Sequence, residues 1–319
     1  MLFYRDFKRF TGGDLKVWDY FNHVRSSERH TALVRFTADS TWDATNPWNA
    51  ARDHVISEDD VVDFDVLFLS GIDWRGMIPI EERAEYRRPI INLVQHVWHA
   101  CPNDPLNRHR FLPHKAIRIC VSPQIDKAIV ATGRVRGPVF MIPNGLDLEA
   151  VAAMADAPAR DIDVLVAANK RPELGRAVAA RLRPSRHSRE GRTVELVDQR
   201  IPRWDLIRLM SRARVSVLVP NPKEGFYLPA LEAMAVGTVV VCPDCIGNRS
   251  FCLPGENCFR PEYDEDAIVA AAEAALREEP GLDELRRRAA ATAQAHDIAD
   301  ERAAFLDILD GVEELWAAA

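Results

Sequence analysis

Apolar residues fall along this chain in short runs of strand length, separated by stretches in which they return every third or fourth position. Candidate strands in the first half are LFYRDF (2–7), TALVRF (31–36), DVLFLS (65–70), IINLVQH (90–96), AIRICVS (116–122) and VFMIP (139–143), with turn residues and amphipathic segments between several of them. A second series runs through DIDVLVAANK (161–170), TVELVD (193–198), VSVLVP (215–220) and TVVVCP (238–243). Helical spacing then takes over in 264–278, 281–294 and 301–316, where Phe305, Leu306, Leu309 and Trp316 offer an apolar stripe. Strands alternating with helices predict an α/β fold with two doubly wound, Rossmann-like domains. The expected boundaries are 1–150, 151–297 and a terminal helix over 298–319, with the Ala-rich VAAMADAPAR (151–160) as linker.

The densest local signal is NPKEGFYLPALEAMAVGTVVV, Asn221 to Val241. An apolar run precedes it, another closes it, Pro229 is suited to the first turn of a helix and Gly237 to its end. The unit reads strand, loop, helix, strand. Glu224 then lies in the loop at the carboxyl end of a buried parallel strand and Glu232 on the helix that follows. That end of an open α/β sheet is where ligands bind.

This segment resembles the E-x7-E region of retaining GT-B glycosyltransferases of family 4, the group 1 type, and VFMIPNGLDLE (139–149) resembles the stretch with which family members finish their first domain. The resemblance implies two domains facing a cleft, the first binding the acceptor and the second a nucleotide diphosphate sugar, with the terminal helix crossing back to the first. It also implies transfer of a sugar with retention of configuration and without a metal. Glu224, with Gly225, Phe226, Tyr227 and Leu228, would grip the transferred sugar, and Glu232 would accept from the ribose hydroxyls.

A departing diphosphate needs cations and amide dipoles. In AANKRPELG, after the second domain's first strand, Lys170 and Arg171 stand side by side, where family members space an Arg and a Lys several residues apart. Either could reach the diphosphate. TGGD (11–14) follows the first strand; Gly12 and Gly13 allow close approach of a ligand, and a helix beginning near Asp14 aims its amides at the same spot. At GNRS (247–250), amides near Asn248 offer a third anion contact, and a helix cap by Asn248 or Ser250 is the alternative. Base recognition would fall to Arg200 and Ile201. A histidine near the donor sugar is matched best by His96, with His99 competing; Trp74, Trp98, His99 and Asp14 are the candidates on the acceptor side.

Composition narrows the rest. A net charge of -7 argues against bulk nucleic-acid binding, although the basic clusters at 107–118 and 181–192 could attract an anionic acceptor or a membrane surface. No apolar run approaches the ~20 residues of a membrane helix and the N-terminus is charged, which predicts a cytoplasmic protein. Cys242, Cys245, Cys252 and Cys258 are badly spaced for zinc, and no disulfide is expected. The D-x-D strings at 63–65 and 161–163 sit at strand starts, so no metal and no cofactor are expected. Two rivals are a nucleotide-sugar epimerase of the same two-domain architecture, which needs acid and base residues around the sugar that the sequence does not offer, and an inactive nucleotide-sugar binding partner of an active transferase, against which Glu224, Glu232 and the basic pair weigh.

Overall fold

The apolar runs become two all-parallel sheets. In the computed structural model, which describes residues 1–319 apart from 58, 80, 84, 156–159, 185–190 and 278–280, the first sheet contains β1 (Leu2–Arg5), β2 (Leu33–Phe36), β3 (Val55–Ile56), β4 (Leu67–Ser70), β5 (Ile90–Val94), β6 (Ile117–Cys120) and β7 (Val139–Met141). Their order is β3-β2-β1-β4-β5-β6-β7. The second contains β8 (Ile162–Ala167), β9 (Val194–Val197), β10 (Ala213–Leu218) and β11 (Val239–Val241), in the order β11-β10-β8-β9. Every pairing is parallel. The strands β1, β4, β5, β6, β8, β10 and β11 are buried on both faces, which is why they read as largely continuous apolar runs, whereas β2 and β9 alternate. Part of the 151–160 linker and of the 181–192 basic cluster lies outside the described residues.

Contacts divide the chain into unit 1, Met1–Asn144 with Asp300–Ala319, and unit 2, Gly145–Ala299. In each sheet the strand order reverses once beside the first strand, between β1 and β4 and between β8 and β10. Those two switch points leave crevices at the carboxyl ends of the strands, where ligands enter.

The C-terminal segment is fixed in unit 1 by packing and by charge. Its helix (Ile298–Asp310) sets Phe305 edge-on to Tyr20 at 4.7 Å. The fully buried Lys16 ammonium meets Asp19 Oδ2 at 2.8 Å and Glu301 Oε2 at 2.7 Å, and His23 Nε2 lies 2.9 Å from Glu301 Oε1. Lys16 and His23 thereby hold the Glu301 carboxyl below its usual range, against the cost of its burial. The helical pattern over 301–316 is broken at Gly311, where a second helix (Val312–Ala317) begins, and Ile308 and Val312 take the inward positions rather than Leu306. Sequence reading also misses β3, a two-residue edge strand.

Candidate functional site

At the switch point of unit 2 the loops after β8 and β10 leave adjacent strands, with Ala167 and Leu218 in register and the Val219 amide donating to the Ala167 carbonyl at 2.9 Å. The first loop carries Lys170 and Arg171, the second Glu224, and Lys170 Nζ lies 3.2 Å from Glu224 Oε1. Arg171 meets an aromatic ring instead. Its guanidinium lies 5.6 Å from the centre of the Tyr263 ring, and the Tyr263 hydroxyl donates to the Pro220 carbonyl. The two adjacent cations are therefore distinct: one faces the carboxylate, the other an aromatic face. Gly175, in the helix Pro172–Leu182, lets that helix seat on the strand end, since a Cβ there would meet Ala168 Cβ at 2.1 Å.

A short turn buttresses the Glu224 loop. A Cβ at Gly247 would lie 2.8 Å from the Glu224 carbonyl oxygen and 2.7 Å from the Phe226 nitrogen, so only glycine fits, and the Gly247 carbonyl accepts from the Tyr227 amide at 3.1 Å. Asn248 secures this turn from inside. Its amide nitrogen donates to the Pro243 carbonyl at 3.0 Å, its oxygen accepts from the Cys245 N–H at 3.2 Å, and its own N–H is bonded to the Cys245 carbonyl. The anion contact expected at Asn248 is thus replaced by a buried cap on a helix of one turn, Ile246–Asn248. Tyr227 and Leu228 are enclosed as well, and burial pushes the Tyr227 phenol well above its ordinary range. Phe226 remains half-buried, stacked on Phe251 at 5.0 Å.

Glu232 lies on the helix Leu228–Ala235, which Gly237 closes in the left-handed conformation (φ 73°). The residue is 3% exposed, and its carboxylate accepts from Arg203 Nε at 2.6 Å. Arg203 opens the helix Arg203–Arg212, and its guanidinium covers Trp204 at 4.4 Å. Neither Arg203 nor Tyr263 is legible as a site residue, although Arg203 falls within the segment 197–206 whose Arg200 and Ile201 are the expected base-reading positions. Arg200 and Ile201 fall between β9 and that helix, Arg200 exposed and Ile201 half-buried. The four clustered cysteines are free and fully buried, and burial together with the neighbouring Cys242 and Cys258 thiols keeps Cys252 protonated. Asp161 and Asp163 pair with Arg212 and Arg214, and Asp63 with Arg88, at the strand starts.

In unit 1 the corresponding switch point is filled by charge. Arg5, the last residue of β1, donates to Asp73 Oδ2 at 2.6 Å and to Asp14 Oδ1 at 2.7 Å; burial pushes the Asp73 carboxyl up to about 6 even so. The helix over Gly12–Arg25 starts two residues before Asp14, with Thr11 as its cap, so Asp14 faces the helix's own positive end. Gln95 ties this loop to β4, donating to the Gly13 carbonyl at 3.2 Å and to Ser70 Oγ at 3.0 Å. Packing does not require glycine at position 13, because a Cβ there would sit at ordinary contact, 3.6 Å from Gln95 and Thr11.

The two histidines separate cleanly. His96 caps the turn Val97–Ala100, its Nδ1 accepting from the Trp98 amide at 3.1 Å, which leaves the proton of a neutral ring on Nε2. It is half-buried and stacked on Trp98. His99 points inward, 2% exposed, with Nδ1 donating to the His96 carbonyl; desolvation lowers its pKa to about 4. An acceptor contact by His99 is excluded by that burial. Trp74, also expected on the acceptor side, is closed to an acceptor for the same reason: it is fully buried and stacked on Phe111 at 5.8 Å.

Residues 127–278 match the family model described as Glycosyl transferases group 1. It is this stretch that is similar to the group 1 glycosyltransferases. No curated protein matches it. Among solved structures, this glycosyltransferase is similar to sucrose-phosphate synthase (tll1590) from Thermosynechococcus elongatus, with a TM-score of 0.71, 15% identity and coverage of 100% of this chain and 99% of that one. Alr3699/HepE from Anabaena, in complex with UDP-glucose, aligns with a TM-score of 0.74 at 15% identity over 97% and 99% of the two chains. An α,α-trehalose 6-phosphate synthase from Burkholderia multivorans aligns at 0.57 and 14% identity over 79% and 71%. The fold of the glycosyltransferase is GT-B. Among its described residues no helix is long and apolar enough to cross a membrane.

Proposed function

We propose that this glycosyltransferase moves a hexosyl group from a nucleoside diphosphate sugar to its acceptor with retention of configuration and without a metal ion. The observation that carries the reading is the Lys170–Glu224 contact of 3.2 Å at the switch point of unit 2, which brings a cation and a carboxylate to the place where the sheet receives ligands. When donor binds, Lys170 and Arg171 take the diphosphate, and Glu224, released from Lys170, accepts from hydroxyls of the sugar beside the Gly225–Phe226 backbone. Glu232 uses the oxygen that Arg203 leaves open for the ribose, and Arg200 and Ile201 meet the base. His96 contacts a sugar hydroxyl through Nε2, Gly12 and Gly13 admit the donor closely, and Asp14 and Trp98 serve the acceptor.

In the reaction the bond from the anomeric carbon to the leaving phosphate oxygen breaks as the acceptor oxygen bonds to the same face. The acceptor proton passes to the departing phosphate, so no general-base carboxylate is needed. The cations offset the charge that develops on the diphosphate. UDP-glucose is the first donor to test, because a structural neighbour was solved with it. A thermal-stabilisation screen of nucleotide sugars identifies the donor, and NMR of the product reads its anomeric configuration with and without EDTA. Retention and unchanged turnover in EDTA are expected. An inverted product, or activity lost to EDTA and restored by manganese or magnesium, would overturn the reading.

A further inference from the structure

Between positions 105 and 141 the chain carries seven basic residues and one acidic residue, Asp126, within a sequence of net charge -7. Three of the seven are engaged internally, Lys115 by its ammonium lying over the Trp316 ring at 4.5 Å. Arg108 is held by Asp104 at 2.9 Å, and the buried Arg118 guanidinium donates to the carbonyls of Phe111, Leu112, His114, Ala116 and Arg136 at 2.6–3.2 Å. That fan of bonds stitches the segment entering β6 to the segment entering β7, and the Arg136 amide adds a bond to Leu112 at 3.1 Å. Both segments lie at the amino ends of their strands, the edge opposite the one from which His96 leaves β5. The surface they form is therefore separate from the switch point of unit 1.

Arg110, Lys127, Arg134 and Arg136 are exposed on these segments and on the intervening helix Pro123–Val130, and among the described residues none of the four is paired with a carboxylate. Val130, 53% exposed, and Leu106, 40% exposed, stand among them. Beside them opens a cavity of about 370 Å³ lined by Ala100, Leu112, Ala128 and Ala131, with His109 and Arg134 as its basic groups. Nδ1 of His109 is buried there without a hydrogen-bond partner among the described residues.

We propose that this face of unit 1 docks on a lipid bilayer bearing anionic headgroups. Unpaired cations interleaved with exposed apolar side chains match a surface that is negative outside and apolar beneath. A nucleic acid would use the cations but leave Val130 and Leu106 uncovered, and no exposed Phe, Tyr or Trp lies within 105–141 to stack on a base.

The test is co-sedimentation of the full chain with vesicles of phosphatidylglycerol and phosphatidylcholine, against pure phosphatidylcholine and a DNA duplex competitor. Binding to the anionic vesicles alone is expected, falling steeply between low and high salt. At about 1 kcal/mol for each basic residue near the surface, the double variant Arg134→Gln, Arg136→Gln should partition roughly 30-fold more weakly, and Val130→Ser should weaken binding without changing its salt dependence. Thermal melts confirm that the variants fold, and the salt series on the unmodified chain stands independently of them. Equal binding to neutral vesicles, no binding to either, a folded double variant that binds like the parent, or displacement by duplex DNA at equal charge would each overturn the proposal.

Discussion

Replacing Arg203 by alanine isolates the best-buried charge of the candidate site. Glu232 is 3% exposed, and the Arg203 contact at 2.6 Å is the hydrogen bond that meets its Oε1. Breaking a buried ion pair by removing one member costs about 3–5 kcal/mol, because the other charge is left in a poor solvent. The Arg203 side chain is 17% exposed, so water can partly replace it, and the lower end, about 3 kcal/mol, is the working figure. For a domain of this size each kcal/mol moves Tm by ~2–4 °C, which predicts a fall of roughly 6–12 °C in the melting of unit 2. The paired change Arg203→Met with Glu232→Gln removes both charges and should recover most of that loss. Differential scanning calorimetry checks both. The same single variant should also narrow the difference in affinity between a nucleoside diphosphate and its 2′,3′-dideoxy form, since Glu232 would no longer be aimed at the ribose. A Tm within 1 °C or so of the parent would refute the argument that Arg203 holds Glu232.

Glu224→Ala should lower kcat on the order of 10²-fold or more with the melting temperature nearly unchanged, because an exposed pair adds little stability while a contact to the reacting sugar counts mainly in the transition state. An unaltered kcat, measured under saturating donor, would remove Glu224 from the chemistry. For His99 the folded pKa is depressed from 6.5 to about 4. The stability it contributes is therefore complete above pH ~6.5 and lost as pH falls toward about 4, amounting to about 3 kcal/mol across that window. His99→Asn, which keeps a donor for the His96 carbonyl, should flatten this acid limb in urea titrations run from pH 7 to pH 4. An acid limb as steep as the parent's would show that the imidazole is not the group titrating.

Much of the fold could be read from the chain because it rests on local patterns. Every strand longer than two residues was marked by an apolar run, and Pro229 and Gly237 bracket the helix that carries Glu232 as their backbone chemistry requires. The elements that escaped are those set by distant partners. β3 is two residues whose pairing with β2 needs no run of its own, and the Arg5–Asp73 contact joins residues 68 apart. The Arg203–Glu232 bond spans 29 positions and leaves no periodic trace. His96 and His99 could not be told apart from spacing, because which ring turns inward depends on the packing of the turn Val97–Ala100. Likewise the GNRS segment suggested a ligand-facing helix start. In the fold Asn248 faces inward, since Gly247 must lie flat against the Glu224 loop.

The central claim is that the loops after β8 and β10 hold a nucleoside diphosphate through Lys170 and Arg171. Isothermal titration of UDP and of uridine to the parent chain and to Lys170→Ala and Arg171→Ala tests it most directly. Loss of one charge-assisted phosphate contact, about 1.5–3 kcal/mol, should weaken UDP binding roughly tenfold to hundredfold in at least one variant while uridine binds as before. Equal losses for UDP and uridine, or none for either, would contradict the account.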